Sequence, residues 1–115
     1  MMITLLTDFG LQDIYVGVMK GVIKTINPEV DLIDLTHEIS RQNILAARFA
    51  LMNAVDFFPN NTIHLAIVDP EVGSSRKAIV IAFEKGYLIC PDNGISSGVL
   101  SKYQVKKVVG QRRNS

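Results

Sequence analysis

Four groups of polar side chains follow apolar segments of this 115-residue sequence, and their chemical types suit a small-ligand site. They are Asp8, the triplet Thr36-His37-Glu38, the stretch from Asp69 to Arg76, and the pair Asp92-Asn93. A carboxylate accepts hydrogen bonds from hydroxyl groups, and a guanidinium offers several donors to an anion. These side chains are therefore the candidates for a binding or catalytic site.

Each group also has a purely structural interpretation. Asp8 could cap the loop before the first helix. Asp69 and Arg76 could form an exposed ion pair, which would stabilise the fold by at most about 1 kcal/mol. Asp92-Asn93-Gly94 is a turn signal, since Asn tolerates and Gly supplies positive φ, and we interpret it as mainly structural. For Asp8 we favour the ligand role because it follows a strand directly.

Several well-known signatures are missing from the sequence. No GxGxxG follows the first apolar run, no GxxxxGK[ST] loop occurs, and His37-Glu38 is not continued to a second His one turn later. Dinucleotide, P-loop and zinc-protease sites are therefore not expected. The single Cys90 excludes an internal disulfide and a CxxC pair, and no metal site is expected.

Hydrophobic periodicity predicts strands that alternate with helices. Asp13 is a good N-cap for a first helix that ends at Asn27-Pro28, and Ser40 is expected to open a second helix. The predicted elements are strands at 3–7, 30–35 and 62–68, helices at 14–27 and 43–57, a hairpin of Ala78–Phe83 with Tyr87–Cys90, a short helix within 95–103, and a last strand at 105–109.

This alternation predicts an α/β fold, a three-layer α/β/α sandwich with a mostly parallel sheet. Crossovers should be right-handed, and ligands should bind at the carboxyl ends of the strands. All four polar groups would then lie at one edge of the sheet. Gly17 and Gly21, one helical turn apart, are expected to let the first helix pack closely on the sheet or on another helix. His64, within the third strand, is expected to be a packed or edge histidine.

Composition indicates one folded domain, since 48% of the residues are apolar and 20% are charged. We place the domain at 1–109 and a polar tail at 110–115. No apolar run is long enough to span a bilayer and no basic leader is present, so a cytoplasmic protein without a membrane partner is expected. The tail is basic, but it lacks the broad basic face of a nucleic-acid binder, and none is expected as a partner.

Three ordered motifs resemble those of one enzyme family. They are Thr7-Asp8-Phe9-Gly10 with Asp13, the stretch from Val68-Asp69-Pro70 to Arg76, and Pro91-Asp92-Asn93-Gly94; Leu35-Thr36-His37-Glu38-Ile39 adds a fourth. From residue 3 to about 109 the sequence resembles the N-terminal domain of the S-adenosylmethionine (SAM) hydrolases, relatives of the SAM-dependent chlorinase and fluorinase.

The resemblance implies hydrolysis of SAM to adenosine and methionine by attack of water or hydroxide at the ribose C5′. It implies that Asp69 and Arg76 are catalytic, belonging to an Asp-Arg-His set around the water. Asp8 would bind the ribose hydroxyls, with Asp13 and Asn93 as further substrate-binding residues. SAM would be the substrate and no cofactor is implied. Family members resemble trimers, so a homo-oligomer is expected.

Two features depart from the family pattern. Glu71 stands where the family commonly has Gly, which changes the charge and backbone freedom of the loop. The sequence also ends before the Phe-His-Gly-Arg-Asp motif that carries the third catalytic residue and before the smaller C-terminal domain, so we expect a truncated form. Neither His37 nor His64 is proposed as the missing histidine. The alternatives are an inactive adenosine-binding or assembly fragment and, less favoured, an unrelated nucleotide-phosphate binder.

Overall fold

The structure is a computed structural model, and it describes residues 1–68 and 78–110. Within them the strands are β1 (Met2–Thr7), β2 (Asp31–Thr36), β3 (Thr62–Ile67), β4 (Ala78–Phe83), β5 (Gly86–Pro91) and β6 (Val105–Gly110). The helices are α1 (Tyr15–Ile26), α2 (Ile44–Ala54), which continues as a 3-10 turn over Val55–Phe57, and α3 (Ser97–Lys102). No described helix has both the length and the apolar character needed to cross a membrane.

The six strands form one sheet in the order β2-β1-β3-β5-β4-β6. β1 pairs in parallel with β2 and β3, and β3 pairs in parallel with β5. The remaining pairs, β4 with β5 and β4 with β6, are antiparallel. The predicted α/β fold with a mostly parallel sheet and the predicted hairpin are therefore confirmed.

The chain order places helices on both faces of this sheet. From β1 the chain crosses through α1 to β2 on one side, and from β2 it returns through α2 to β3 on the other side. Right-handed crossovers in opposite directions put α1 and α2 on opposite faces. The main core lies between the sheet and α2 with α3, and it includes Leu6, Leu51 and Phe83.

Cys90 belongs to that core and is 2% exposed. Burial, together with the nearby Asp92 carboxylate, raises the pKa of its thiol to about 12. At neutral pH the side chain therefore behaves as a small apolar residue.

The face of the sheet that carries α1 is covered unevenly. Lys20 of α1 bonds to Asp34 of β2, which places the helix over the β1–β2 side. Val80, Tyr87 and Val109 lie on the same face beyond it, and they are 39%, 43% and 51% exposed. No described helix covers the β5-β4-β6 part of this face.

The expected packing of Gly17 and Gly21 is wrong for the part of the chain that the structure describes. A Cβ added at either glycine would meet no atom within 4 Å, so neither glycine makes a close packing contact with another described element. The neighbouring Val18 and Val22 are also exposed. The stripe faces outward because the helix rests on the sheet through its other side, where Val16 is buried.

The predicted helix starts at 14 and 43 lie within one residue of the observed ones, but the capping residues differ from the prediction. The N-cap of α1 is Ile14, and Asp13 sits one residue earlier, where its Oδ1 accepts the Ile14 N–H at 2.7 Å. Helix α2 begins after Asn43, whose side chain accepts the Ala46 N–H; Ser40 lies in the preceding turn. Asn43 rather than Ser40 is the N-cap because its side-chain oxygen accepts the N–H of the third helical residue, which is the geometry of an N-cap.

A buried polar pair links β1 to β3. His64 is 1% exposed, and its Nδ1 lies 2.7 Å from Oγ1 of Thr4, which is fully buried. The Phe58 ring packs edge-on against the imidazole, with ring centroids 5.8 Å apart. The expectation of a packed histidine is confirmed.

Gly86 starts β5 where no side chain fits. Its φ is +155°, and a Cβ would overlap the Thr62 carbonyl oxygen of the neighbouring strand.

We expect Gly86→Ala to lower the free energy of unfolding by about 2–3 kcal/mol. Gly17→Ala is the matched control, since its Cβ would meet open space and alanine should stabilise the helix by up to about 1 kcal/mol. Urea unfolding measures both; equal stabilities of the two variants would contradict this account.

The environment of His64 also makes stability depend on pH. Burial, with a smaller contribution from the Lys85 charge, lowers the pKa of His64 from 6.5 to about 4. The unfolded chain therefore binds a proton between pH 6.5 and 4 that the folded chain does not, and stability falls as the pH falls through this window. The loss from His64 should approach roughly 3 kcal/mol at pH 4.

This prediction is tested by comparison with His64→Asn, which can accept from Thr4 but does not titrate. Urea unfolding of both proteins from pH 7 to pH 4 should show the wild type losing more stability than the variant. Parallel curves would show that His64 has an ordinary pKa in the folded protein.

Candidate functional site

Asp8 follows β1 directly, at the carboxyl edge of the parallel strands. It is half-buried, and its Oδ2 accepts the backbone N–H of Gln42 at 3.0 Å. Gln42 adopts a positive φ of 62° in the turn before α2. Among the described residues no hydrogen bond reaches the other carboxylate oxygen of Asp8.

Asn93 lies two residues beyond β5 and uses its side chain within the protein. Its Nδ2 donates to the Val68 carbonyl oxygen at 2.8 Å, and its Oδ1 accepts the Ile95 N–H at 3.2 Å. Asn93 therefore fixes Val68, the residue just before Asp69. This matches the structural role that the turn signal indicated, whereas contact with substrate stays a prediction.

The proposed catalytic residues Asp69 and Arg76, and the unusual Glu71, lie outside the described residues. The two flanking positions are described, however. Val68 follows β3, and Ala78 begins β4 opposite Pro91 at the end of β5. Both ends of the segment 69–77 are therefore attached at the carboxyl edge that also carries Asp8.

Asp13 lies near the same edge but points to the start of α1. It is exposed, and the described structure gives its carboxylate one hydrogen bond, from the Ile14 N–H. Between Asp8 and α1 the Phe9 and Tyr15 rings pack edge-on, with centroids 6.4 Å apart. Both aromatic side chains are exposed, and neither is among the predicted site residues.

His37 follows β2, the strand next to β1, at the same edge of the sheet as Asp8. It is 3% exposed, with Nδ1 2.8 Å from Thr7 Oγ1 and Nε2 2.7 Å from Asp34 Oδ1. The Asp34 carboxylate also takes a 2.7 Å bond from Lys20. Burial alone would raise the pKa of Asp34, but the bonds from Lys20 and His37 outweigh it and hold the pKa below its ordinary value. Asp34 is therefore ionised at neutral pH.

The Thr7-His37-Asp34 set was not predicted as a unit. The sequence signal that could have found it is the position of His37 at the end of a strand beside the end of β1. The set contains a hydroxyl, an imidazole and a carboxylate, but its histidine is too buried to reach a ligand directly.

An open groove of about 560 Å³ lies elsewhere, between α1 and the amino ends of β1 and β2, with Met2 and Asp31 in its lining. Its two lysines already have partners, since Lys20 binds Asp34 and Lys24 donates to the Pro28 and Val30 carbonyl oxygens. Among the described residues no cluster of three His, Cys, Asp or Glu side chains could hold a metal ion.

The chain is similar to curated proteins of two other organisms. It is 43% identical over 112 residues to the (R)-S-adenosyl-L-methionine hydrolase of Methanocaldococcus jannaschii, covering 93% of this chain and 42% of that protein. It is 39% identical over 93 residues to the enzyme of the same name from Salinispora tropica, covering 81% of this chain and 35% of that protein. The chain therefore spans less than half the length of these relatives.

Solved structures show the same fold. A crystal structure of a conserved Thermotoga maritima protein superposes with a TM-score of 0.90 at 44% identity, covering 94% of this chain and 42% of that one. A conserved Thermus thermophilus protein gives a TM-score of 0.88 at 31% identity, covering 96% of this chain and 46% of that one. The family model of the SAM hydroxide adenosyltransferase N-terminal domain matches residues 3–114. The chain belongs to the SAM hydroxide adenosyltransferase family, through its N-terminal domain.

Proposed function

We propose that this chain provides the ribose-binding and water-activating part of a SAM hydrolase. Two relatives that are 43% and 39% identical to it over the aligned residues carry the name (R)-S-adenosyl-L-methionine hydrolase. The observation in the structure that supports the proposal best is Asp8. Its half-buried carboxylate has one oxygen held by Gln42 and stands at the edge where parallel sheets bind ligands.

In the proposed reaction, a water oxygen attacks the ribose C5′ of SAM. The bond between C5′ and the sulfonium sulfur breaks, and its electron pair stays on sulfur, so methionine leaves as a neutral thioether. The water loses one proton and adenosine forms. Because the leaving group needs no proton, the protein must act mainly on the nucleophile.

Asp69 and Arg76 are the residues proposed for that task. Asp69 would orient the water and accept its proton, and Arg76 would stabilise the developing hydroxide. Their flanking residues Val68 and Ala78 support this assignment, since both lie at the Asp8 edge. The bond from Asn93 to the Val68 carbonyl holds the residue that precedes Asp69 in the sequence.

Self-association and a cytoplasmic location are part of the same proposal. The exposed apolar side chains of α1 and of the β5-β4-β6 face are the surfaces that a second copy would cover, and Val18, Val22 and Tyr87 are examples. Sedimentation showing only monomer at high concentration would count against assembly. The alternative function is an inactive fragment that still binds adenosine. Turnover restored by the C-terminal part of a relative would separate an enzyme domain from such a fragment.

Asp8→Ala is expected to weaken the binding of adenosine by about tenfold or more, because hydrogen bonds to a charged group contribute roughly 1.5–3 kcal/mol each. Calorimetry with the 115-residue chain measures this. Asp31→Ala is the matched control, since Asp31 is an exposed carboxylate at the opposite edge of the sheet. An Asp8 variant with unchanged affinity would remove Asp8 from the site.

The 115-residue chain alone is expected to release adenosine from SAM near the background rate. The family's histidine motif does not occur in these residues, and members of a catalytic set act as a unit. Joining the chain to the C-terminal part of the M. jannaschii relative should restore turnover, and Arg76→Ala should then reduce it by at least about a hundredfold. Adenosine is quantified by chromatography. Fast turnover by the 115-residue chain alone would show that the family's histidine motif is dispensable.

A further inference from the structure

His37 is a buried ionisable side chain that the proposed reaction does not use. It follows β2, and both of its ring nitrogens have partners: Thr7 Oγ1 at 2.8 Å and Asp34 Oδ1 at 2.7 Å. Thr7, the last residue of β1, is fully buried. The imidazole therefore joins the carboxyl ends of two adjacent strands.

The partners determine which atoms donate. Asp34 is ionised and can only accept, so His37 Nε2 carries the hydrogen and donates to it. In the neutral ring Nδ1 is then an acceptor, and it takes the Thr7 hydroxyl hydrogen. The Thr7 oxygen in turn accepts the Phe9 N–H at 3.2 Å. We assign this tautomer because every donor then has one acceptor.

His37 is connected to both peptide groups that follow Asp8, once through the Thr7 hydroxyl and once through its own backbone carbonyl. The Phe9 N–H is held through the Thr7 hydroxyl, and the Gly10 N–H donates directly to the His37 carbonyl oxygen at 2.8 Å. Gly10 has a φ of 74°, so the backbone turns sharply at this point. The direction of the Asp8 side chain is thus tied to His37 on its C-terminal side and to Gln42 through its own carboxylate.

We propose that His37 is a positioning residue for ribose recognition: through the Thr7 hydroxyl and its own carbonyl it orients the Asp8 carboxylate toward the ribose diol. His37 does not touch the ligand. Asp34 fixes the far side of the imidazole and is itself held by Lys20. The inference rests on the proposed function, because it needs Asp8 to bind ribose hydroxyls, whose hydrogen bonds depend on direction.

The experiment compares Thr7→Val, which removes the hydroxyl at nearly constant shape, with Thr7→Ser, which keeps it. Calorimetry with the 115-residue chain measures the affinity for adenosine and for 2′,3′-dideoxyadenosine, which lacks the diol. Thr7→Val should weaken adenosine binding about three- to tenfold and leave dideoxyadenosine unchanged, while Thr7→Ser stays near the wild type. His37→Gln should weaken adenosine binding by as much as Thr7→Val does. The Gln amide can replace Nε2 as the donor to Asp34, but it leaves no acceptor for the Thr7 hydroxyl.

A double-mutant cycle separates positioning from a general effect on the fold. In an Asp8→Ala background, Thr7→Val should cause no further loss of adenosine affinity, since the residue it positions is gone. Equal losses for the two nucleosides, or losses that multiply in the double variant, would overturn the inference even though the wild type binds adenosine.

Amide hydrogen exchange gives a readout without ligand. Thr7→Val should speed exchange at Phe9 and Gly10 by about three- to tenfold and leave Leu5, inside β1, unchanged. Unchanged exchange at Phe9 and Gly10 would overturn the inference by itself. A wild type that fails to bind adenosine would overturn the proposed function and, with it, the assignment of His37 to ribose recognition.

Discussion

The position of β1 between β2 and β3 is the constraint on which the rest of the structure depends. Parallel pairing on both sides brings the carboxyl ends of three strands to one edge. It also buries two polar side chains of β1 away from solvent, Thr4 on one face of the sheet and Thr7 on the other. Each is satisfied by a histidine from a neighbouring segment, His64 and His37 respectively. The two imidazoles thus bind side chains of β1 on opposite faces of the sheet.

These two histidines have different consequences although both are buried. His64 lies in the middle of β3 among apolar side chains, and burial strongly favours its neutral form. His37 lies at the end of the sheet beside an ionised carboxylate and next to the loop that carries Asp8. A buried polar bond costs little when both partners are satisfied, and it orients whatever is attached to it. The first pair therefore affects folding, whereas the second affects the candidate site.

Much of this arrangement could be predicted from the sequence. The strands were predicted to within one residue because apolar runs and turn residues determine them locally, as in Glu84-Lys85 between β4 and β5. The helix starts were also predicted to within one residue, but the N-cap residues were not, since several residues can cap and only the one that reaches a free amide does so, as Asn43 shows. The bonds of Asn93 to Val68 and His37 to Thr7 join residues 25 and 30 positions apart. They depend on strand order, which hydrophobic periodicity does not encode.

Because Cys90 is buried, the rate at which its sulfur is labelled reports how often the sheet opens. Thiol reagents attack the thiolate, and a pKa of about 12 with 2% exposure leaves almost none within their reach at neutral pH. Labelling then requires that the β4–β5 hairpin separates from the core, and the labelling rate measures how frequently this separation occurs. Cys90 is paired with Ile79 and lies three residues before Asn93. Because these 115 residues hold one cysteine, Cys90 is an unambiguous labelling position near the edge of the sheet that carries Asp8.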